Sequence, residues 1–224
     1  MIGARDVAFP RLNAFSYWVF LFGAIIMHVG FLVNAVPDAG WFSYANLTGI
    51  EYSPGAGLDY WAVSLQVLGV ASLGPAAFNF VVTIINMRAP GMSLMRMPLF
   101  VWMTLITSIL LVLAFPVITV ALIKVALLTD CWETLFSLLP RRVVTPILGS
   151  TFSGCLDILK VYILILPAMG IVSEILPTFS RKPLFGYPVV VFSGIVIGIM
   201  GWAVWSHHMF TTGAQGPWRF RFSQ

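Results

Sequence analysis

Five runs of about twenty apolar residues follow one another along the chain. Each is long enough to cross the hydrocarbon core of a bilayer as a helix, which needs roughly 20 residues. They extend from about Leu12 to Val36, Trp61 to Asn86, Pro98 to Leu128, Leu159 to Phe179 and Gly186 to Met209. Inside lipid a backbone must pair its own polar groups, so only helices and closed barrels span it. Continuous apolar runs of this length predict helices. The expected fold is therefore all-α: one membrane domain over residues 1–224, a multi-pass transmembrane bundle of about five spans. The third run is long enough to tilt, and Pro116 within it is expected to kink the helix because proline removes a backbone donor.

Composition closes off other classes. Apolar residues make up 59% of the chain and charged residues only 9%, against about a quarter charged in ordinary soluble domains. That excludes a soluble enzyme, a disordered tail and a nucleic-acid binder, and it makes membrane lipid the first partner. The two cysteines, Cys131 and Cys155, give no disulfide framework and no metal spacing. Met1 to Arg11 leads straight into a full-length span without a small-residue cleavage site, so no cleaved leader is read there.

The net charge of +4 carries orientation. Arg5 and Arg11 precede the first span, Arg88 and Arg96 separate the second and third, and Arg181 and Lys182 separate the fourth and fifth. The loop from Pro37 to Tyr60 has no Lys or Arg and carries Asp38, Glu51 and Asp59. The positive-inside bias places the N-terminus in the cytoplasm. Two stretches break the alternation: residues 130–160, which hold Arg141 and Arg142, and the tail at 217–224, which holds Arg219 and Arg221.

A few polar residues in this apolar chain could carry chemistry. Asp6 and Asn13 put a carboxylate and an amide at a membrane edge, where they can gather protons and hold water, or serve as interfacial anchor and helix cap. His207 and His208 end the fifth span in Trp205-Ser-His-His-Met-Phe210. Two imidazoles are good metal ligands, but adjacent helical residues point about 100° apart, so both reach one metal only where the helix loosens. Tyr162 lies within the fourth span and needs a partner or a packed site. His28 is ionisable and intramembrane, and reads best as a neutral, hydrogen-bonded ring. Lys124 and Glu174 are expected to snorkel from span ends. Ser72 and Asn79 share one face of the second span and read as helix glue as readily as a proton path.

Several strings taken together resemble subunit I of the haem-copper oxidases, the cytochrome c oxidase type. They are Met1-Ile-Gly-Ala to Tyr17-Trp18, Asn79-Phe to Ile85-Asn-Met-Arg-Ala-Pro-Gly91, Met97-Pro-Leu-Phe-Val-Trp102, Val161-Tyr-Ile-Leu-Ile-Leu-Pro167, Pro177-Thr-Phe-Ser-Arg-Lys-Pro-Leu-Phe-Gly-Tyr187 and Trp205-Ser-His-His-Met-Phe-Thr-Thr-Gly213. The family subunit has about twelve spans, and this chain resembles the third to the seventh, so Met1 reads as an internal position. The resemblance implies that His207 and His208 match two of three histidines on the active-site copper. It implies that Tyr162 matches the tyrosine cross-linked to the third. Asp6 matches the acid at the mouth of a proton channel, with Asn13 and Asn79 along it and Ser72 less securely.

The resemblance also exposes departures. Where the family reads His-Pro-Glu-Val-Tyr, this chain reads Ile158-Leu-Lys160-Val-Tyr162. Ile158 replaces the third copper ligand, and Lys160 replaces a carboxylate that ends the proton channel in many members. The haem axial ligands fall in family spans outside this chain. A one-base deletion and a later one-base insertion in the family's reading would produce Ile147 to Tyr162. A shifted reading likewise accounts for Trp218 to Phe222. Residues 130–160 are accordingly expected to be a frameshifted loop of no selected fold, and 217–224 a frameshifted tail.

The leading reading is a fragment of the catalytic subunit of a terminal respiratory oxidase in a bacterial plasma membrane. Its parent, through haem and copper, reduces oxygen to water with electrons from cytochrome c and pumps protons. Its partners are the remaining subunit I spans and other oxidase subunits, and the chain alone is expected to be inactive. Two alternatives remain: a small proton- or metal-conducting bundle, and a non-catalytic fragment that docks onto other oxidase spans.

Overall fold

A computed structural model describes residues 1–37, 55–71, 76–127 and 141–204, with residues 117, 118, 120–127, 141–160 and 202–204 described by their backbone alone. Every regular element among them is helical. In chain order they are α1 (Pro10–Leu32), α2 (Gly57–Ala71), α3 (Asn79–Asn86), a 3-10 turn (Leu94–Arg96), α4 (Leu99–Leu127), α5 (Arg141–Ser180) and α6 (Tyr187–Val204). Four segments are long and apolar enough to cross a membrane: Pro10–Leu32, Gly57–Asn86, Leu99–Pro116 and Val161–Ser180. The fifth expected span corresponds to α6, whose apolar part among the described residues is Tyr187–Gly201.

The side chains are distributed as lipid demands. Large apolar groups such as Phe15, Trp18, Phe22, Phe31, Phe192 and Ile199 face outward, while Ser64, Asn79, Thr83, Thr107 and Ser108 are buried. Two interior clusters hold the helices together. Ile2, Ile84, Met97, Val101 and Leu105 join the N-terminal segment to α3 and α4. Leu99, Met103, Leu110, Leu166 and Val191 join α4, α5 and α6. Apolar helices gain little by leaving an equally apolar solvent, so close approach through small residues carries much of their association. At Gly69 of α2 the ring of Phe115 on α4 occupies the space that a Cβ would take. At Gly170 of α5 it would stand 2.9 Å from the Cα of Phe100. Both helices approach α4 through spaces that a larger side chain would occupy.

The 29-residue α4 runs through Pro116 as a single helix, as expected of the third span. One expectation needs correction. The stretch expected as a loop at 130–160 is helical from Arg141 onward, continuous with the fourth span as one 40-residue helix. Ile147, Leu148, Leu156 and Leu159 favour winding, and Pro146 near the start of the helix does not end it. Residues 128–140 and the tail at 217–224 lie outside the described residues.

Candidate functional site

Alpha-helices leave their first N–H groups without internal partners, and α1 begins at Pro10 with no side-chain cap from Phe9. Side chains of α3 instead hold the two residues that lead into it. Asn79 Oδ1 accepts from the Phe9 N–H at 2.9 Å, and Asn79 Nδ2 donates to the Phe9 carbonyl at 3.0 Å. One turn on, Thr83 Oγ1 accepts from the Ala8 N–H at 2.8 Å and donates to the Asn79 carbonyl at 2.6 Å. Further back, Ala89 N–H donates to the Ile2 carbonyl at 2.8 Å. Gly3 has φ +86°, and a Cβ there would lie 2.9 Å from Cβ of Ala89. Residues 1–9 thus form a strap across α3 and the loop after it. Thr83, which sequence reasoning missed, is four residues from Asn79, the helical spacing that places both on one face.

Of the sequence-predicted proton-path residues, the strap carries Asp6. Asp6 is exposed, and its Oδ1 accepts from the Val7 N–H at 2.7 Å. Asn13 lies one turn into α1. Asp6, Asn13 and Asn79 therefore gather around the first turn of α1, whereas Ser72 lies outside the described residues. Asn79 is 2% exposed, and both polar atoms of its amide are committed to the Phe9 backbone. Above this turn is a cavity of about 690 Å³, with Asn13 and Ser16 on α1, Thr104, Thr107 and Ser108 on α4, and Pro167 on α5.

Tyr162 sits on α5, half-buried and packed against the Leu99–Met103–Leu166 cluster. On the facing helix, a Cβ at Gly201 would stand 3.2 Å from Tyr162 Cδ2. The chain direction of α6 then leads toward His207 and His208, which lie outside the described residues. Ile158 is one helical turn before Tyr162 in α5.

Two other intramembrane ionisable groups are engaged with backbone. His28 Nδ1 donates to the Ala24 carbonyl at 2.7 Å, the hydrogen-bonded ring that its position suggested. Glu174 does not snorkel outward. Its Oε1 accepts from the Leu99 N–H at 2.6 Å and approaches the Phe100 N–H at 3.4 Å, capping α4 from α5. Leu99 follows Pro98 and its own helix offers it no acceptor, so a carboxylate at that positive helix end is favoured over one in headgroups. Beside it, the Tyr187 hydroxyl of α6 donates to the Met97 carbonyl. Residues 97–100 are thus held by two other helices. The Lys124 side chain lies outside the described residues.

All 224 residues match the family of cytochrome c and quinol oxidase polypeptide I. The chain belongs to that family. Cytochrome c oxidase subunit 1 of Bacillus subtilis (strain 168) is 46% identical over 216 residues, 96% of this chain and 34% of that protein. A probable cytochrome c oxidase subunit 1-beta of Nocardia farcinica (strain IFM 10152) is 45% identical over 214 residues, 95% of this chain and 36% of that protein. Quinol oxidase subunit 1 of Bacillus spizizenii (strain ATCC 23059 / NRRL B-14472 / W23) is 45% identical over 212 residues, 95% and 32% respectively. The chain spans about a third of the length of these curated relatives.

Among the described residues no group of three His, Cys, Asp or Glu side chains could hold a metal. The sequence-predicted copper ligands His207 and His208 lie outside the described residues, and where the resemblance expects a third histidine and a carboxylate the chain carries Ile158 and Lys160.

Proposed function

We propose that this chain supplies central spans of the catalytic subunit of a terminal respiratory oxidase. The assembled enzyme, with haem and copper, reduces oxygen to water using electrons from cytochrome c and moves protons across a bacterial plasma membrane. The observation that carries the proposal is the family match over the whole chain, together with a fold that brings the Tyr162 phenol against α6 on the way to the histidine pair. In this reading Asp6 takes up protons from the cytoplasm at the strap. Asn13 passes them inward, Asn79 fixes the first turn of α1 around that route, and Ser72 lies further along it. Tyr162 is the donor of a proton and an electron at the oxygen-reducing site. The gathering of Arg5, Arg11, Arg88, Arg96, Arg181 and Lys182 in the segments joined at the strap end supports a cytoplasmic N-terminus.

Because the third imidazole is missing, the chain as encoded holds copper poorly and is inactive by itself. We attribute Ile158 and Lys160 to paired frameshifts, with a further one producing residues 217–224. Codons for residues 149–160 that yield His-Pro-Glu in another frame would support this, and codons that cannot would end it.

The test is co-production of this chain with the remaining subunit I spans. Co-purification of the segments supports the proposal, whereas haem absorbance or oxygen uptake by the chain alone contradicts its inactivity. Proton flux through liposomes of the chain alone, abolished by Asp6→Asn, would instead favour an independent conducting bundle.

A further inference from the structure

Among the described residues one buried side-chain oxygen finds no donor: Oε1 of Gln66 on α2. Gln66 stands nine residues after Gly57, about 14 Å along a segment long enough to cross a membrane. Lipid at that depth offers no hydrogen bonds, and an amide without partners there is costly. The place of Gln66 on its helix shows from which side a partner can come. At 100° per residue, positions 62 and 69 lie to one side of it, and there α2 is packed: Ala62 is buried and Gly69 meets the Phe115 ring on α4. Positions 59, 63 and 70 lie to the other side, where Val63 and Val70 are exposed. Gln66 is thus on the rim between the packed and the lipid-facing sides. Its oxygen is enclosed, whereas its nitrogen is not, and the nitrogen has no partner either among the described residues.

Asp59, Val63, Gln66 and Val70 follow one another at spacings of four, three and four, the pattern of a seam between packed helices. The terminal amide torsion is broad, so the group can turn its oxygen outward. A side-chain amide is complementary to itself. The partial positive charge on the N–H of one meets the partial negative charge on the oxygen of the other, which gives two hydrogen bonds across a twofold axis. Two copies inserted in the same direction bring residue 66 to one depth without adjustment. We propose that the Asp59–Val63–Gln66–Val70 seam of α2 is a self-association surface, on which a second copy of this chain docks with the paired Gln66 amides at its centre. Val63 and Val70 supply branched side chains that pack on either side of the pair. Spanning helices that cross at about 20° diverge from their point of contact. The two Asp59 carboxylates, in the first turn of α2, therefore part toward the membrane edge. The surface belongs to the chain itself and does not rest on the oxidase reading.

Disulfide trapping of the whole chain in the membranes of the producing cell tests it, because all copies there share one orientation. Cys131→Ser and Cys155→Ser are present throughout. Val63→Cys and Val70→Cys should each give dimers on mild oxidation, several-fold faster than Ile25→Cys at an exposed position of α1. Gln66→Leu should slow both about fivefold, the effect of losing hydrogen bonds between spanning helices. Gln66→Asn keeps an amide and should slow them less. Leucine also removes an unpaired polar group, so the Gln66→Leu chain should resist a denaturing detergent at least as well as the parent. Trapping at 63 and 70 no faster than at 25 would overturn the proposal and leave the seam to another protein's helix or to lipid. Trapping that ignores Gln66→Leu would overturn it too. So would a less stable Gln66→Leu chain, which would show that the amide already has a partner within its own copy. None of these readouts involves oxygen chemistry, so the oxidase reading stands or falls separately.

Discussion

Gly201 on α6 faces the ring of Tyr162 on α5, and a Cβ at position 201 would stand 3.2 Å from Tyr162 Cδ2. The contact sets how closely the helix bearing the phenol approaches the helix that leads to the histidine pair. A methyl group there requires only a small shift, whereas a branched side chain forces the helices apart. Gly201→Ala should therefore be nearly neutral, and Gly201→Leu should destabilise by about 1–3 kcal/mol, the usual cost of overpacking. Unfolding of the chain in mixed micelles by titration with a denaturing detergent measures both. Equal effects would show that the contact does not limit the approach.

The strap depends on two side chains of α3 that bond the backbone of Ala8 and Phe9. Asn79→Ala removes the acceptor for the Phe9 N–H and the donor for its carbonyl. Leaving buried polar groups unpaired costs about 1–3 kcal/mol. Thr83→Val removes the acceptor for Ala8 and should cost somewhat less. Amide hydrogen exchange at Ala8 and Phe9 should accelerate in both variants, and most in the double variant, while exchange in α6 stays unchanged. Uniform acceleration everywhere would mean general unfolding rather than release of the strap.

The Glu174 cap separates charge from hydrogen bonding. Glu174→Gln keeps a side-chain oxygen for the Leu99 N–H and should lose only the charge–dipole contribution, about 0.3–1 kcal/mol. Glu174→Leu leaves that donor unpaired and should cost about 1–3 kcal/mol. Exchange at Leu99 and Phe100 should speed up in the Leu variant well beyond the Gln variant. Equal behaviour would mean that the bond is not made in the membrane.

The spans were legible because lipid enforces one rule on every stretch of backbone, and the apolar runs obey it. What joins the spans was less legible. Glu174 resembled an interfacial carboxylate, because nothing local reveals that Pro98, some seventy residues earlier, begins a helix in need of acceptors. Thr83 was passed over although it stands four residues after Asn79, since a threonine in an apolar helix is most often bonded to its own backbone. The arginines near residue 141 signalled a loop by charge, yet the segment winds into α5, because interrupted topology does not prevent helical hydrogen bonding. The oxidase resemblance came from long strings rather than periodicity. Periodicity alone would have left Tyr162 as a packed aromatic residue.

The proposed oxygen-reducing site requires the phenol on α5 and the two histidines that follow α6 in the chain to share one pocket. Cysteine cross-linking in membranes addresses this directly, in a chain with Cys131 and Cys155 replaced by serine. Tyr162→Cys paired with His207→Cys or His208→Cys should join through a short bifunctional reagent, and faster than the control pair of Ile165→Cys, on an exposed part of α5, with His207→Cys. Absent cross-links from position 162, or rates no greater than the control, would contradict the claim.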